Sequence, residues 1–264
     1  MKNKILSILP GDHPWAEYLH TENCLNSTNQ TLKQLADEGA PQGTTVIARE
    51  QTAGKGRMGR SFFSQKDTGL YFSCLLRPNC APTELMHLTC AVGVAVCRAV
   101  EQAAGVVPQI KWINDLVLNC KKLGGILTEL SIDPKTGLVD YAIIGVGINC
   151  LQESFPEGLS QIATSLRLAT GKHCTPARMG ACLMEQMEKL SGTLLSHKEQ
   201  WLDAYRALCV TLGKEVKVLA GETTYIATAK AVTSDGGLLV VLPDGTQKEV
   251  CSGEASVRGL FGYL

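Results

Sequence analysis

Glu50-Gln51-Thr52-Ala53-Gly54-Lys55-Gly56-Arg57-Met58-Gly59-Arg60-Ser61 places three glycines and three cations in one short segment that has neither the period of a helix nor the alternation of a strand. Gly54, Gly56 and Gly59 let the main chain turn sharply and bring N–H groups against an anion. Lys55, Arg57 and Arg60 supply charge that can bond phosphoryl oxygens. A nucleotide is the first ligand this chemistry suggests. Two familiar phosphate loops do not fit. Gly54-x-Gly56-x-x-Gly59 has dinucleotide-binding spacing, but that motif needs a helix directly behind it, and Arg60-Ser61-Phe62-Phe63-Ser64-Gln65 carries no helical apolar period. A Walker A loop needs Ser or Thr after Gly-Lys, whereas the Gly-Lys pairs here run on into Gly56, His173 and Glu215. Taken alone, the segment is equally a surface hairpin whose cations are simply solvated.

The rest of the composition narrows the class. A chain of 264 residues, 45% hydrophobic and 19% charged, is long enough for one substantial core and a smaller module, and disorder is excluded. Formal net charge is zero, so nucleic acid or an anionic membrane would have to be met by a local patch. The start, Met1 to Leu9, is too short in apolar character for a signal-peptide core, and no run is expected to span a membrane. Eleven cysteines is an odd number, without CxxC or Cys/His metal spacing. They are expected to be buried, reduced core residues, Cys90 and Cys97 among them, in a cytoplasmic protein with no metal site of its own.

Periodicity sets out the fold. Residues 1 to 26 show little pattern and are too few for a DNA-reading domain. A helix starts at Ser27-Thr28-Asn29, where Ser27 and Gln30 have capping-box spacing, Leu32, Leu35 and Ala36 make an apolar stripe, and Gly39 supplies the stop. Thr44 to Ala48 and Gly69 to Leu76 read as strands, and Pro82 to Gly105 as a long, buried helix apolar nearly all round. Ile110 to Ile113, Leu116 to Leu118, Lys122 to Leu130 and Val139 to Asn149 are strands joined by short turns, which makes hairpins rather than βαβ repeats. Thr175-Pro176 opens an amphipathic helix that continues with breaks to about Leu208. From Gly213, short strands with Ser-Asp-Gly-Gly and Pro-Asp-Gly turns suggest a small β-barrel. The expected fold class is α+β, a mixed and largely antiparallel sheet with flanking helices, dividing into residues 1–212 and a barrel at 213–264.

Polar or glycine-rich segments close several of these elements. Ser27-Thr28-Asn29 puts two hydroxyls and an amide at a helix N-terminus, suited to a neutral hydrogen-bonding headgroup or to a plain cap. Lys111-Trp112-Ile113-Asn114-Asp115 ends a strand with an Asn-Asp turn. Lys122, entering an apolar strand ahead of Gly124-Gly125, needs an anionic partner. Gly145-Val146-Gly147-Ile148-Asn149 offers a second strand on which a flat ligand could lie against backbone.

In this order, STN at Ser27, QTAGKGRMGR at Gln51, KWIND at Lys111, KKLGGILTE at Lys121 and IIGVGIN at Ile143 resemble the biotin protein ligases, from about Ser27 to the C-terminus. The resemblance implies the class II synthetase-like catalytic domain of biotin and lipoate ligases, followed by an SH3-like barrel. It further implies that ATP with Mg²⁺ activates biotin as biotinyl-5′-AMP, and that the biotinyl group passes to one lysine of a carboxyl carrier domain. By resemblance, Ser27, Thr28, Asn29, Gln51, Lys55, Gly56, Arg57, Lys122, Gly125, Leu127, Gly145 and Gly147 bind biotin. Arg57, Arg60, Phe62, Asn114, Asp115 and Asn149 meet ATP, and Lys122 and Arg57 are catalytic. Three positions depart from the family pattern: Ile113 stands for proline, Lys55 for arginine, with charge but no bidentate fork, and Met58 for a residue that is often basic. Relatives that repress transcription carry a winged helix ahead of the catalytic domain, and with motifs starting at Ser27 no DNA binding is expected. A homodimer through a sheet edge is suggested by relatives, and no membrane partner is expected. A lipoate ligase and a non-catalytic biotin sensor are the alternatives. QTAGKGR and KWIND together with the barrel speak against the first, and three cations together speak against the second.

Overall fold

The apolar run Gly69–Leu76 is a strand buried along its whole length in the computed structural model, which describes residues 1–251 and the backbone of 255–259. In chain order β1 (Leu19–Glu22), β2 (Thr45–Ala48), β3 (Gly69–Leu76), β4 (Gln109–Lys111), β5 (Asp115–Leu118), β6 (Lys121–Ile132) and β7 (Val139–Asn149) form a seven-stranded sheet. Its order is β1-β2-β3-β7-β6-β5-β4. The β1–β2 pair is parallel and the others antiparallel, so the sheet is mixed but mostly built of hairpins, as the short turns predict.

The strand β3 is apolar on both faces because both are covered. Leu70, Phe72, Cys74 and Leu76 enter the main core, whereas Leu75 joins Leu32, Ala36, Val46, Tyr141 and Ile143 in a second cluster beneath α2 (Thr28–Asp37). On the main-core side lie α3 (Leu88–Ala104), α5 (Pro176–Thr193), which follows the short α4 (Leu166–Thr170), and α6 (Lys198–Leu208), with α3 packed against α5, α6 and β6. Gly105, at φ +64°, ends α3 in a left-handed conformation that favours glycine. The expected run from Pro82 divides into a 3₁₀ turn, Pro82–Leu85, and the α-helix proper. The expectation that no run could span a membrane needs correcting. Pro82–Ala104 is long and apolar enough, but 72% of its most apolar window is buried inside the protein, so its apolarity serves the core.

Residues 1 to 26 belong to this same core. Ile5 of α1 (Lys2–Leu6), Leu9, Trp15 and Leu19 are buried in it, and β1 extends the sheet edge beside β2. After α6 the chain enters a second sheet of β8 (Glu215–Ala220), β9 (Thr223–Val232), β10 (Leu238–Val241), β11 (Gln247–Val250) and β12 (Ala255–Gly259), ordered β11-β10-β9-β8-β12 and antiparallel throughout. This fits an SH3-like module. Residues 252–254 and 260–264 of the expected barrel lie outside the described residues. Its β9–β10 turn docks on the first sheet: the Gly236 carbonyl accepts the Trp112 indole N–H at 3.0 Å, and Gly236 at φ +82° has Cys90 Sγ 3.0 Å from where a Cβ would sit.

The cysteines are not uniformly buried as expected: Cys24 and Cys120 are exposed, because they fall in the segment after β1 and in the β5–β6 turn. Burial pushes the thiols of Cys74, Cys90 and Cys150 far above the ordinary value, so these remain protonated packing groups.

His87, at the start of α3, is fully enclosed, with Nε2 3.0 Å from the Leu194 carbonyl. Desolvation lowers its pKa below the ordinary 6.5, opposed in part by the Leu194 contact. The folded form therefore holds a neutral ring while the unfolded chain gains a proton below pH 6.5. Its contribution is complete above that pH and is lost as pH falls, by at most about 1.4 kcal/mol per unit. Thermal denaturation between pH 7.5 and 5.5 should show a falling Tm, and His87→Gln should flatten that slope whatever its effect at pH 7.5.

Candidate active site

Two ladder rows run beneath a cavity of about 370 Å³ on the α2 side of the sheet, and their Leu127, Gly145, Gly147, Gly125, Asp115 and Lys111 line it. Val46, Ser73, Gly145 and Leu127 stand side by side on β2, β3, β7 and β6. Two residues along, Ala48, Tyr71, Gly147, Gly125, Asp115 and Lys111 form a second row. The glycines on these rows are required by what lies over them. A Cβ on Gly145 would overlap the Asn29 amide, and one on Gly147 would come within 2.5 Å of the Phe62 ring. The floor is bare backbone because a helix end and an aromatic ring occupy the space side chains would need.

The start of α2 is capped from outside the helix. Ser27 and Gln30 have capping-box spacing, yet Ser27 makes no side-chain cap. Instead Gln51 Oε1 accepts the Thr28 N–H at 2.9 Å and the Thr28 hydroxyl at 3.1 Å. The loop thus satisfies an orphan helix donor, and the Ser27 hydroxyl, 2% exposed as a residue, lines the cavity instead of closing the helix. Gln51 Nε2 in turn donates to Ser64 Oγ at 3.1 Å, which donates to the Phe62 carbonyl at 3.0 Å.

The glycine loop folds as a tight hairpin. Gly56 N–H bonds the Arg60 carbonyl at 2.6 Å, Phe62 N–H bonds that of Gly54 at 2.9 Å, and a single 3₁₀ turn, Arg57–Gly59, makes the tip. A Cβ at Gly54 would sit 2.8 Å from both the Phe62 carbonyl and Ser64 Oγ. Met58 adopts φ +56° and is 63% exposed, so its departure from a basic residue places an apolar side chain at the cavity mouth.

This hairpin aims Arg57 across the cavity, its Nη1 3.3 Å from Asn114 Oδ1. Asn114 Nδ2 donates to the Ile126 carbonyl at 2.8 Å, which orients the amide and turns its oxygen toward the arginine. Burial lowers the Arg57 pKa while the Asp115 charge opposes the shift and Arg60 adds to it; an arginine remains cationic. Lys122 finds the anionic partner its position demands, with Nζ 2.5 Å from Asp115 Oδ1 over Gly125. The Lys122 backbone is clamped to a distant segment: its N–H bonds the Ile162 carbonyl at 2.7 Å and its carbonyl accepts the Thr164 N–H at 2.8 Å. Ile113, following a cis peptide, is buried.

The cavity wall collects Ser27, Thr28, Asn29, Gln51, Lys55, Gly56, Arg57, Arg60, Phe62, Asn114, Asp115, Lys122, Gly125, Leu127, Gly145 and Gly147. The structure does not bring Asn149 to that wall. Its Nδ2 donates to the Thr164 carbonyl at 2.9 Å and its Oδ1 accepts from Gln152 Nε2 at 3.2 Å, so its amide holds the segment that clamps Lys122. Sequence reasoning missed Ile162, which comes from an irregular stretch without a motif, and Lys111 and Trp112, which were legible as motif members but given no role. A serine in the middle of the apolar β3 was the available signal for Ser73.

The Biotin/lipoate A/B protein ligase family matches residues 22–149, and the biotin protein ligase C-terminal domain matches residues 211–258. The bifunctional ligase/repressor BirA of Bacillus spizizenii is 36% identical over 239 residues, which is 88% of this chain and 72% of that protein. This chain belongs to the biotin protein ligase family. The biotin–[acetyl-CoA-carboxylase] ligase of Mycobacterium tuberculosis is 30% identical over 218 residues, 80% of this chain and 79% of its own. The Aquifex aeolicus biotin protein ligase in complex with biotin and ATP superposes with a TM-score of 0.77 at 31% identity, over 91% of this chain and 98% of that one. The Leishmania major enzyme with biotinyl-5-AMP gives 0.61 at 26% identity, over 88% and 98%.

The close approach at Gly145 gives a direct test of the ligase floor. In Gly145→Ala the new methyl competes with the Asn29 amide, so a crystal structure should show Asn29 rotated away and thermal unfolding a loss of about 1–3 kcal/mol.

Proposed function

We propose that this chain activates biotin with ATP as biotinyl-5′-AMP and transfers the biotinyl group to a lysine of a biotin carboxyl carrier domain. The observation that carries the reading is the meeting of Arg57 and Lys122, from separate segments, in the cavity that also holds the capped Ser27-Thr28-Asn29 helix start. In the first step a carboxylate oxygen of biotin attacks the α-phosphorus, the bond to the β-phosphate breaks, and pyrophosphate leaves. Two anions must approach, and at an effective dielectric near 20 unit charges about 4 Å apart repel by about 4 kcal/mol. Arg57 and Lys122 offset that repulsion and hold the reacting atoms in line, with Lys55 and Arg60 adding charge. In the second step the acceptor amine attacks the acyl carbon, AMP departs with the bonding pair, and the amine proton is lost. The protein needs no nucleophile of its own.

Ser27, Thr28, Asn29 and Gln51 meet the biotin headgroup, and Gly56, Gly125, Leu127, Gly145 and Gly147 enclose it and its apolar tail. Phe62, Asn114 and Asp115 meet the nucleotide; Asp115 also keeps Lys122 placed and is the acidic side chain available to waters of the nucleotide's Mg²⁺. The contribution of Asn149 to ATP is indirect, through the segment at Ile162–Thr164. The modules divide at 212/213, the setting is the cytoplasm, where thiols stay reduced, and neither membrane nor DNA is a partner. Two copies associate through the outer part of β6, where Leu130 and Ile132 are 43% and 50% exposed.

Mixing the protein with biotin, ATP and a carrier domain should release pyrophosphate and add one biotinyl mass to the carrier; lipoate in place of biotin should do neither. Lys122→Ala should slow pyrophosphate release by on the order of 100-fold. Arg57→Gly should let adenylate escape and label bystander amines, and retention equal to wild type would remove Arg57 from this role. In a gel-shift assay with biotin and ATP present no specific complex with DNA should form, and a low-nanomolar complex would reject the non-repressor reading.

A further inference from the structure

Behind the cavity, Asn29 is held by two residues that do not line it. Its Nδ2 donates to Glu129 Oε2 at 2.6 Å, and its Oδ1 accepts from the Ser73 hydroxyl at 2.6 Å. Asn29 and Ser73 are 5% and 0% exposed, and the amide lies over Gly145 with no space for a Cβ there. We propose that Glu129 and Ser73 are positioning residues that fix which polar atom Asn29 turns to the headgroup, and so set discrimination between headgroups ending in a carbonyl oxygen and those ending in an N–H donor. This rests on the reading that Asn29 meets the biotin headgroup.

An asparagine amide has two N–H donors and a carbonyl acceptor, and its two orientations differ only in which end faces which neighbour. Serine tolerates either end, since a hydroxyl can donate or accept. An ionised carboxylate only accepts, so a flipped amide would set its oxygen against the Glu129 oxygen. Glu129 therefore selects the orientation, and its charge strengthens the bond it receives. One N–H of Asn29 is consumed by Glu129, and the second remains for a ligand.

The selection propagates. The Ser73 hydroxyl lies 2.7 Å from Thr28 Oγ1, which reaches Gln51 Oε1 at 3.1 Å, and Gln51 Nε2 donates to Ser64. With the Ser73 proton on Asn29, the Thr28 proton points to Ser73 or Gln51, and Gln51 retains one N–H beyond its bond to Ser64. Both amides then offer donors, matched to a ureido carbonyl oxygen and mismatched to a protonated imine in its place.

The test compares wild type, Glu129→Gln and Ser73→Ala by pyrophosphate release with biotin and with the analogue whose ureido oxygen is replaced by a protonated imine. In Glu129→Gln the KM for biotin should rise by about tenfold while kcat and the KM for ATP stay unchanged, and the preference for biotin over the analogue should shrink by a similar factor. Ser73→Ala should raise the biotin KM less, because Glu129 still selects the orientation. A biotin KM and an analogue preference unchanged in Glu129→Gln would overturn the proposal, and so would an equal loss of kcat and ATP affinity, which indicates general damage. Should wild type release no pyrophosphate with biotin, the biotin reading itself fails. The amide orientation is then read from the side-chain ¹⁵N–¹H resonances of Asn29. They should differ in position between wild type and Glu129→Gln, and identical resonances in the two proteins would overturn the proposal.

Discussion

A sheet surface without side chains at Gly125, Gly145 and Gly147 is the constraint on which the site depends. The first turn of α2 and the Phe62 ring rest against bare backbone, and the Lys122–Asp115 pair lies over Gly125. Side chains at these positions would lift the helix end and the loop away from the sheet, and the polar groups they carry would no longer converge. The continuous apolar strands around the glycines have a second purpose: they bury both faces of β3 and β7, so the floor cannot yield when a helix is pressed onto it.

Charge is distributed over this floor with an internal balance. Arg57 comes from the hairpin loop, Lys122 from the start of β6, and Asp115 from the neighbouring β5. A partly buried carboxylate beside two cations limits their mutual repulsion in a site that must receive a carboxylate and a triphosphate. The clamp of Ile162–Thr164 on the Lys122 backbone, held by the buried amides of Asn149 and Gln152, fixes where that lysine begins. Lysine's long stem carries freedom of its own, so anchoring its backbone and pairing its ammonium are complementary ways of reducing it.

Much of this was legible in one dimension because it depends on local rules. Gly69–Leu76 reads as buried because a run apolar at every position has to be covered on both faces, and Thr175-Pro176 reads as a helix start because Thr175 Oγ1 can accept the Arg178 N–H, as it does at 3.2 Å. The expected capping box at Ser27 does not form, and the helix start finds a nonlocal partner instead: Gln51, distant by 23 positions, accepts the Thr28 N–H, a different donor from the Gln30 N–H that the box would satisfy. Asn149 carries a motif signature but turns its amide to Thr164, since the strand end beside it is covered by a segment with no pattern of its own. Cys24 and Cys120 were expected in the core on the strength of residue type, and lie outside it because turns reach solvent whatever their composition.

The amino-acid order by itself determined the sheet class, the positions of most helices and strands, the chemistry of the glycine-rich loop and the family to which the chain belongs. These rest on periodicity, turn residues and motif spacing, which are properties of neighbours in the chain. Tertiary structure alone decided which donor meets which acceptor: Gln51 on Thr28, Glu129 and Ser73 on Asn29, Asp115 on Lys122, Gly236 on Trp112. Hydrogen bonds and ion pairs act over a few ångströms, and only the folded sheet brings residues as far apart as Asn29 and Glu129 within that range.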